Sequence, residues 1–242
     1  MRTKYSMINM IFGVGGHVLN MVLAFVSRMI FIRYLDAAYL GVSGLFSDIL
    51  GMLNLAELGI GSAMIFSMYK PAALDDREQL GKLMNLYKLM YRLVAAFVLA
   101  AGLCLLPFLN VLIKGDPGIE HLRLIYLMYL GNSVSSYLLS YKNSILLAYQ
   151  KAYVRTVVEQ IAHAVQIILQ VVVLIVTQNF LLYLLLQILT QISINLVVSR
   201  RVDKEFPYLK DEKRLPSKEE RSGIMKNILA LSMHRLGSAV VN

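Results

Sequence analysis

An all-α, polytopic membrane helix bundle is the fold class this sequence predicts, and three observations predict it. Of the 242 residues, 57% are hydrophobic and 16% charged, with a mean hydropathy of +0.61. Soluble domains lie near about 45–50% apolar and about 25% charged. Six apolar runs each reach the roughly 20 helical residues that cross a hydrocarbon core of about 30 Å. None is built of the ~10-residue alternating segments of a membrane β-barrel, the only other spanning structure that satisfies every backbone group in lipid.

The runs follow in chain order at 8–32, 39–69, 86–113, 122–149, 155–177 and 180–199, and a seventh begins at 223–242. The first follows a basic start, "MRTKYSMINMIFGVGG". With no small-x-small cleavage site after it, it reads as a retained span rather than a signal peptide. With the N-terminus inside, segments 1–7, 70–85, 150–155 and 200–222 face the cytoplasm and carry fifteen Lys and Arg; the opposite loops carry two, Arg33 and Lys114. That asymmetry sets a cytoplasmic N-terminus. It also accounts for the net charge of +9 without nucleic acid, because the basic residues sit in loops between apolar runs. The single cysteine, Cys104, lies inside an apolar run and excludes a disulfide framework.

The organisation expected is a six-helix bundle over 1–199, a cytoplasmic linker over 200–222, and the start of helix seven over 223–242. The linker, "RRVDKEFPYLKDEKRLPSKEERS", mixes eight basic and six acidic residues with two prolines, and reads as a solvated connector with a lipid-headgroup contact as the alternative. "MINMIFGVGGHVLN" (7–20) and "MKNILALSMHRLGSAVVN" (225–242) share an early Asn and a His seven or eight residues on, a faint repeat that suits two related bundles.

Several runs carry polar stripes at helical spacing. The first has Asn9, Gly13, His17, Asn20, Ala24 and Ser27/Arg28; the fourth has Asn132, Ser136, Ser140 and Asn143. The fifth has Thr156, Glu159, His163, Gln166, Gln170 and Thr177, and the sixth Gln187, Gln191 and Asn195. Single Ser, Thr, Asn or Gln residues serve as interhelical glue for roughly 0.6–2 kcal/mol each. Stripes with ionisable members instead predict a water-accessible lumen, since a charge in a membrane span is functional by default. In the second run Asp48 and Glu57 fall on opposite faces of a straight helix, so either one acid faces another helix or the helix bends. Gly59 and Gly61 mark a bend or a close helix contact. Arg92 and Lys142 reach the cytoplasmic half of a lumen also lined by Glu159 and His163, whereas Lys88 and Arg123 read as snorkelling. A mostly cationic lumen suits an anionic substrate such as a diphosphate.

No Walker A, H-E-x-x-H, Cys-x-x-Cys or G-x-S-x-G sequence occurs, and "GVGG" (13–16) lies within an apolar span, so nothing points to catalysis, a metal or a resident cofactor. The runs "FVSRMIFIRYLDAAYLGVSGLFSDILGMLNLAELGIGSAMIFSMYKPAALDD" (25–76) and "YLLSYKNSILLAYQKAY" (137–153) resemble Wzx-type polysaccharide flippases. These are members of the multidrug/oligosaccharidyl-lipid/polysaccharide exporter superfamily, which also holds the MATE antiporters. The resemblance covers the whole chain, is most specific at "ELGIGSA…YKP", and departs from the pattern at Asp36, where relatives more often have Gly. It implies two related bundles around a cavity, of which this chain is the first plus part of helix seven, as in a truncated gene. The implied activity is flipping of an undecaprenyl-diphosphate-linked oligosaccharide at the bacterial cytoplasmic membrane, alongside glycosyltransferases and a polymerase. Arg28, Arg92 and Lys142 would then hold diphosphate or acidic sugar, with His17 and Asn20 on the pathway. Glu57, Asp48 and Glu159, with His163, would be salt-bridge partners or H+ or Na+ sites. A multidrug antiporter, which calls for an acidic or aromatic cavity, and a non-transporting fragment are the alternatives.

Overall fold

The computed structural model describes residues 2–54, 57, 59–113 and 118–241, and for residues 2–14, 17, 19, 54, 110 and 234–241 the backbone alone. The described residues are mostly helical, the helices joined by turns and short irregular segments, with no strand among them. In order the helices are α1 (Arg2–Tyr34), α2 (Ala37–Asn54), α3 (Ile60–Ala73), α4 (Arg77–Leu105), a short α5 (Leu109–Leu112), α6 (Leu122–Tyr137), α7 (Asn143–Ala148), α8 (Ala152–Thr177), α9 (Phe180–Glu205) and α10 (Lys218–Val241).

Two of the six apolar runs are broken helices rather than continuous spans. The second stops at Asn54 and restarts at Ile60, with Gly59 at φ 89°. A backbone in that region favours glycine because a Cβ would crowd the neighbouring carbonyl. The fourth stops at Tyr137, passes through Leu139 at φ 64°, makes one 3-10 turn over Ser140–Lys142 and resumes as α7. Among the described residues three helical segments are long and apolar enough to cross a membrane: Arg77–Phe108, Ala152–Thr177 and Phe180–Glu205. Two of the three missing spans have a local cause at these breaks, where each fragment is too short to span alone. The third is the first run, an unbroken α1 whose side chains lie partly outside the described residues.

Side-chain capping explains where two of the long helices, α4 and α9, begin. Asp76 accepts from the Gln79 amide at 3.0 Å and starts α4. Asn179 accepts from the amides of Leu181 and Leu182 at 2.9 and 3.2 Å and starts α9 two residues after α8 ends. Each supplies an acceptor to amides that have no partner within their helix.

Helices α1, α8, α9, α6 and α4 pack in succession, each against the next; α2 lies against α4 and α6, and α3 against α4, α7 and α10. At one end Phe31, Tyr39, Phe180 and Tyr183 meet edge-on or stacked, with centroids 5.1–5.9 Å apart. Such pairs add about 0.5–1.5 kcal/mol each beyond area burial. Deeper in, Phe46 packs on Tyr126, whose hydroxyl donates to the Gly102 carbonyl at 2.8 Å.

Helix α8 is built inside out. Its buried residues are Gln170 and Leu174, whereas Val165 and Val176 are 50% and 75% exposed and Ile161, Ile168 and Val172 are exposed with them. A water-facing helix buries its apolar stripe and exposes its polar one. The reverse arrangement puts apolar surface where lipid would lie and leaves the polar groups to be satisfied within the bundle.

Candidate functional site

Polar residues of the first, fifth and sixth stripes meet in a chamber of about 470 Å³ between α1, α2, α6, α8 and α9, whereas Ser136, Ser140 and Asn143 of the fourth line a different cavity. Asn20, Ser27 and Arg28 of α1 face His163, Gln166 and Gln170 of α8, and Gln187 of α9 joins them. Gly16 makes the approach possible, because a Cβ there would lie 2.7 Å from the Gln160 side chain. Asn20 uses that proximity, its side-chain amide donating to the Gln160 side-chain oxygen. Gln166 donates to Gln170 at 3.3 Å, and Gln170 donates to the Tyr183 carbonyl at 3.0 Å. The Asn20 Oδ1 atom is buried without a hydrogen bond. Leaving such an acceptor dry costs about 1–3 kcal/mol, so the chamber is suited to a polar occupant or to water. Arg28 is exposed at its mouth and has no carboxylate within 4 Å among the described residues. The His17 side chain lies outside the described residues.

Glu57 lies elsewhere, at the break between α2 and α3. It lines a cavity of about 300 Å³ with Tyr87, Tyr91, Tyr137, Ser140, Asn143 and Arg155. Its carboxylate accepts a hydrogen bond from the Tyr91 hydroxyl, so its nearest partner is a phenol and not one of the expected cations. Tyr87 packs edge-on against Tyr91 at 5.0 Å and donates to the Gly61 carbonyl at 2.9 Å. Two tyrosines one turn apart on α4 thus fasten both sides of the break. The Gly-x-Gly pair divides its work: Gly59 carries the positive φ, while Gly61 presents a carbonyl to Tyr87. Arg155 bonds to Glu159 one turn along α8, at 2.6 Å. That pairing places Glu159 as the partner of the cation at the cavity edge.

The other candidates are dispersed. Lys142 ends the 3-10 turn and bonds to Ser199 at 2.8 Å and Asp203 at 2.5 Å, near the end of α9. Arg92 is exposed on α4, in a separate cavity with Lys88. Asp48 is exposed on α2, on the face that carries Gly41, Gly44 and Gly51, where an added Cβ would meet nothing within 4 Å. The structure therefore brings Arg28, Asn20 and His163 together, and keeps Glu57, Lys142, Arg92 and Asp48 apart from them.

The 206–217 connector is docked rather than free in solvent. Asn85 donates to the carbonyls of Glu212 and Arg214 at 2.8 and 3.1 Å, and Arg214 bridges Glu212 and Glu78. Gly81 leaves the room, since a Cβ there would sit 2.6 Å from Glu212. Arg214 holds the Glu212 carboxyl down at about 2 through its hydrogen bonds. Lys151 pairs with Glu205 and lies 5.8 Å over the Phe206 ring.

The residues missed from the sequence are Tyr87, Tyr91, Tyr137, Gln160 and Arg155. One signal was available: "LYKLMYRL" (86–93) sets Tyr87 and Tyr91, and also Lys88 and Arg92, four residues apart, which puts each pair on one helical face. No family model, curated protein or solved structure matches the chain. What stands is the class: among the described residues, a helical fold with three helices apolar and long enough to cross a membrane, and polar chambers between its helices.

Proposed function

We propose that the chain is the first bundle of a membrane transporter that flips an undecaprenyl-diphosphate-linked oligosaccharide across the bacterial cytoplasmic membrane for surface polysaccharide synthesis. In this reading it crosses the membrane six times and starts a seventh crossing with α10, its N-terminus is cytoplasmic, and it works by alternating access with a second bundle. The observation that carries the reading is the Arg28–His163 chamber: amides gathered between the helices with a guanidinium at the mouth, in a bundle whose α8 turns its apolar face outward. Amides suit sugar hydroxyls, and a guanidinium grips phosphate through paired donors. Broken helices at α2–α3 and α6–α7 add support, because interrupted spans line the paths of many secondary transporters.

A second reading, a MATE-type cation antiporter, has its own observation. The Glu57 cavity is acidic and walled by Tyr87, Tyr91 and Tyr137, a set that favours an organic cation through charge and ring faces. Arg155 at its edge opposes that choice.

Both are tested in a bacterium whose own flippase gene is deleted, expressing this chain with the rest of its reading frame. Restored surface polysaccharide, lost in Arg28→Ala while the protein stays in the membrane, supports the flippase. Resistance to cationic dyes without polysaccharide, lost in Glu57→Gln, supports the antiporter. Normal polysaccharide in both variants refutes the assignment of these residues to the pathway.

A further inference from the structure

Lys88 and Arg92 stand one turn apart on α4, and neither has a carboxylate within 4 Å among the described residues. They front a slot of about 360 Å³ between α4, the α6–α7 break and α9, whose mostly apolar lining includes Leu138, Leu139, Ile192 and Leu196, with Tyr91, Tyr137 and Tyr141 and the polar Ser135 and Asn195 completing it. The break opens the slot: Leu138 leaves the helix in an extended conformation and Leu139 turns back at φ 64°. Leu138 is 52% exposed, and Ile192 and Leu196 are exposed beside it, so the slot opens sideways from the bundle.

Beyond Lys88 lies a second cavity of about 510 Å³, which shares Lys88 and Tyr141 with the first and adds Lys142, Lys210 and Lys213. Its two acids are already engaged. Asp203 is bound by Lys142 at 2.5 Å and lies 3.7 Å from Lys210, and Glu212 is bound by Arg214 at 2.9 Å. Lys88, Arg92 and Lys213 are left as unneutralised cations at the junction of an apolar slot and a polar vestibule. The vestibule is roofed by the docked connector, on the side where the basic loops cluster.

The geometry points to a binding site for one anionic glycerophospholipid of the cytoplasmic leaflet, its phosphate between Lys88, Arg92 and Lys213 and its acyl chain along Leu138, Ile192 and Leu196. A free phosphate would use the cations and leave the slot empty, and a zwitterionic lipid would bring a cation of its own against Lys88, Arg92 and Lys213. Basic pockets between membrane helices on the cytoplasmic side recognise anionic headgroups in this way. Lys88 read as a snorkelling residue then becomes a headgroup ligand. The inference requires α4 and α9 to cross the bilayer, and does not require the chain to move an oligosaccharide.

The test is lipid retention by the full chain, purified from membranes and incorporated in nanodiscs, read by native mass spectrometry and by titration with phosphatidylglycerol and phosphatidylcholine. Phosphatidylglycerol is expected to bind at least about tenfold more tightly than phosphatidylcholine, and Lys88→Ala/Arg92→Ala to lose about tenfold or more of that affinity. Leu196→Trp, which fills the slot and keeps both charges, displaces the lipid as well, and serves alone if the double variant does not fold. Arg123→Ala, on another part of the surface, changes nothing. Equal binding of the two phospholipids, or unchanged retention in both slot variants, overturns the site. So does binding of undecaprenyl diphosphate with no binding of phosphatidylglycerol, which would give the slot to a transport substrate. Release of the chain from membranes by alkaline carbonate would instead refute the membrane reading itself.

Discussion

Gly59 and Gly61 look equivalent in sequence, and the structure separates them sharply enough to test. An alanine at 59 must hold φ 89°, and its Cβ would lie 2.7 Å from the Ser232 amide nitrogen and 2.8 Å from the Ile228 carbonyl oxygen of α10. Backbone of that kind costs a non-glycine residue about 1–3 kcal/mol. The Ser232 hydroxyl also lies in the way and can rotate, but these two contacts are with main-chain atoms, which cannot, so α10 must shift, at a typical overpacking cost of about 1–3 kcal/mol. At 61 a Cβ would meet only the hydroxyls of Tyr87 and Tyr91, at 3.4 and 3.7 Å. Gly61→Ala is therefore expected to cost under about 1 kcal/mol, because the helical position gains propensity and nothing must move far. For a chain of this size each kcal/mol moves the melting midpoint by about 2–4 °C. Gly59→Ala should lower the midpoint in detergent by roughly 4–24 °C, and Gly61→Ala by no more than about 4 °C. A cysteine pair across α3 and α10 should also cross-link less efficiently in Gly59→Ala. Equal midpoints for the two variants would refute both the positive φ and the α10 contact.

Two further outcomes follow from the docked connector and from α8. The Glu212 carboxyl is held down to about 2, against an ordinary 4.5, by hydrogen bonds from Arg214. A depressed pKa means that its contribution to docking is complete above 4.5 and is lost as pH falls through about 2. Cleavage of the 206–217 connector by pepsin should accordingly be slow at pH 4 and fast near pH 2, and equal rates would refute the clamp. Val165, exposed near the middle of α8, faces lipid in the membrane reading. Val165→Lys should then cost roughly 3 kcal/mol on insertion scales and deplete the protein from membranes. Unchanged membrane levels would mean that this face meets water.

The α-helical class was legible because it depends on composition and run length, which tertiary contacts cannot overturn. Three of the four polar stripes were legible in part: Asn20, His163, Gln166, Gln170 and Gln187 meet because helical period fixes a face before any packing is known. The fourth, Asn132, Ser136, Ser140 and Asn143, is split by the α6–α7 break. What spacing leaves open is which faces meet. Arg92 and Arg28 both lie on marked helices, yet α4 and α1 serve different cavities. The partner of Glu57 was hidden for a chemical reason, because a search for charges passes over a phenol. The connector was hidden by its composition: interleaved acids and bases read as solvated, and only the fold brings Asn85 and Glu78 beneath Arg214.

Tyr91 and Tyr137 line both the Glu57 cavity and the lipid slot, so the two spaces are separated by little more than these rings. Tyr91 gives its hydroxyl to Glu57, and its ring fronts the slot where Arg92 stands one residue on. Their rings lean together at 6.1 Å. Removing one ring should therefore join the spaces rather than merely loosen the packing. In a Cys104→Ser background, a cysteine at Ser136, which lines the Glu57 cavity, reports on access. Tyr91→Ala should raise its labelling by a membrane-permeant apolar maleimide several-fold, whereas Tyr91→Phe keeps the wall and should leave the rate near its starting value. Labelling that rises equally in both variants would show that the hydroxyl, by holding Glu57 and the α2–α3 break in place, closes the cavity. Labelling unchanged in Tyr91→Ala would mean that the two cavities are walled by more than these rings.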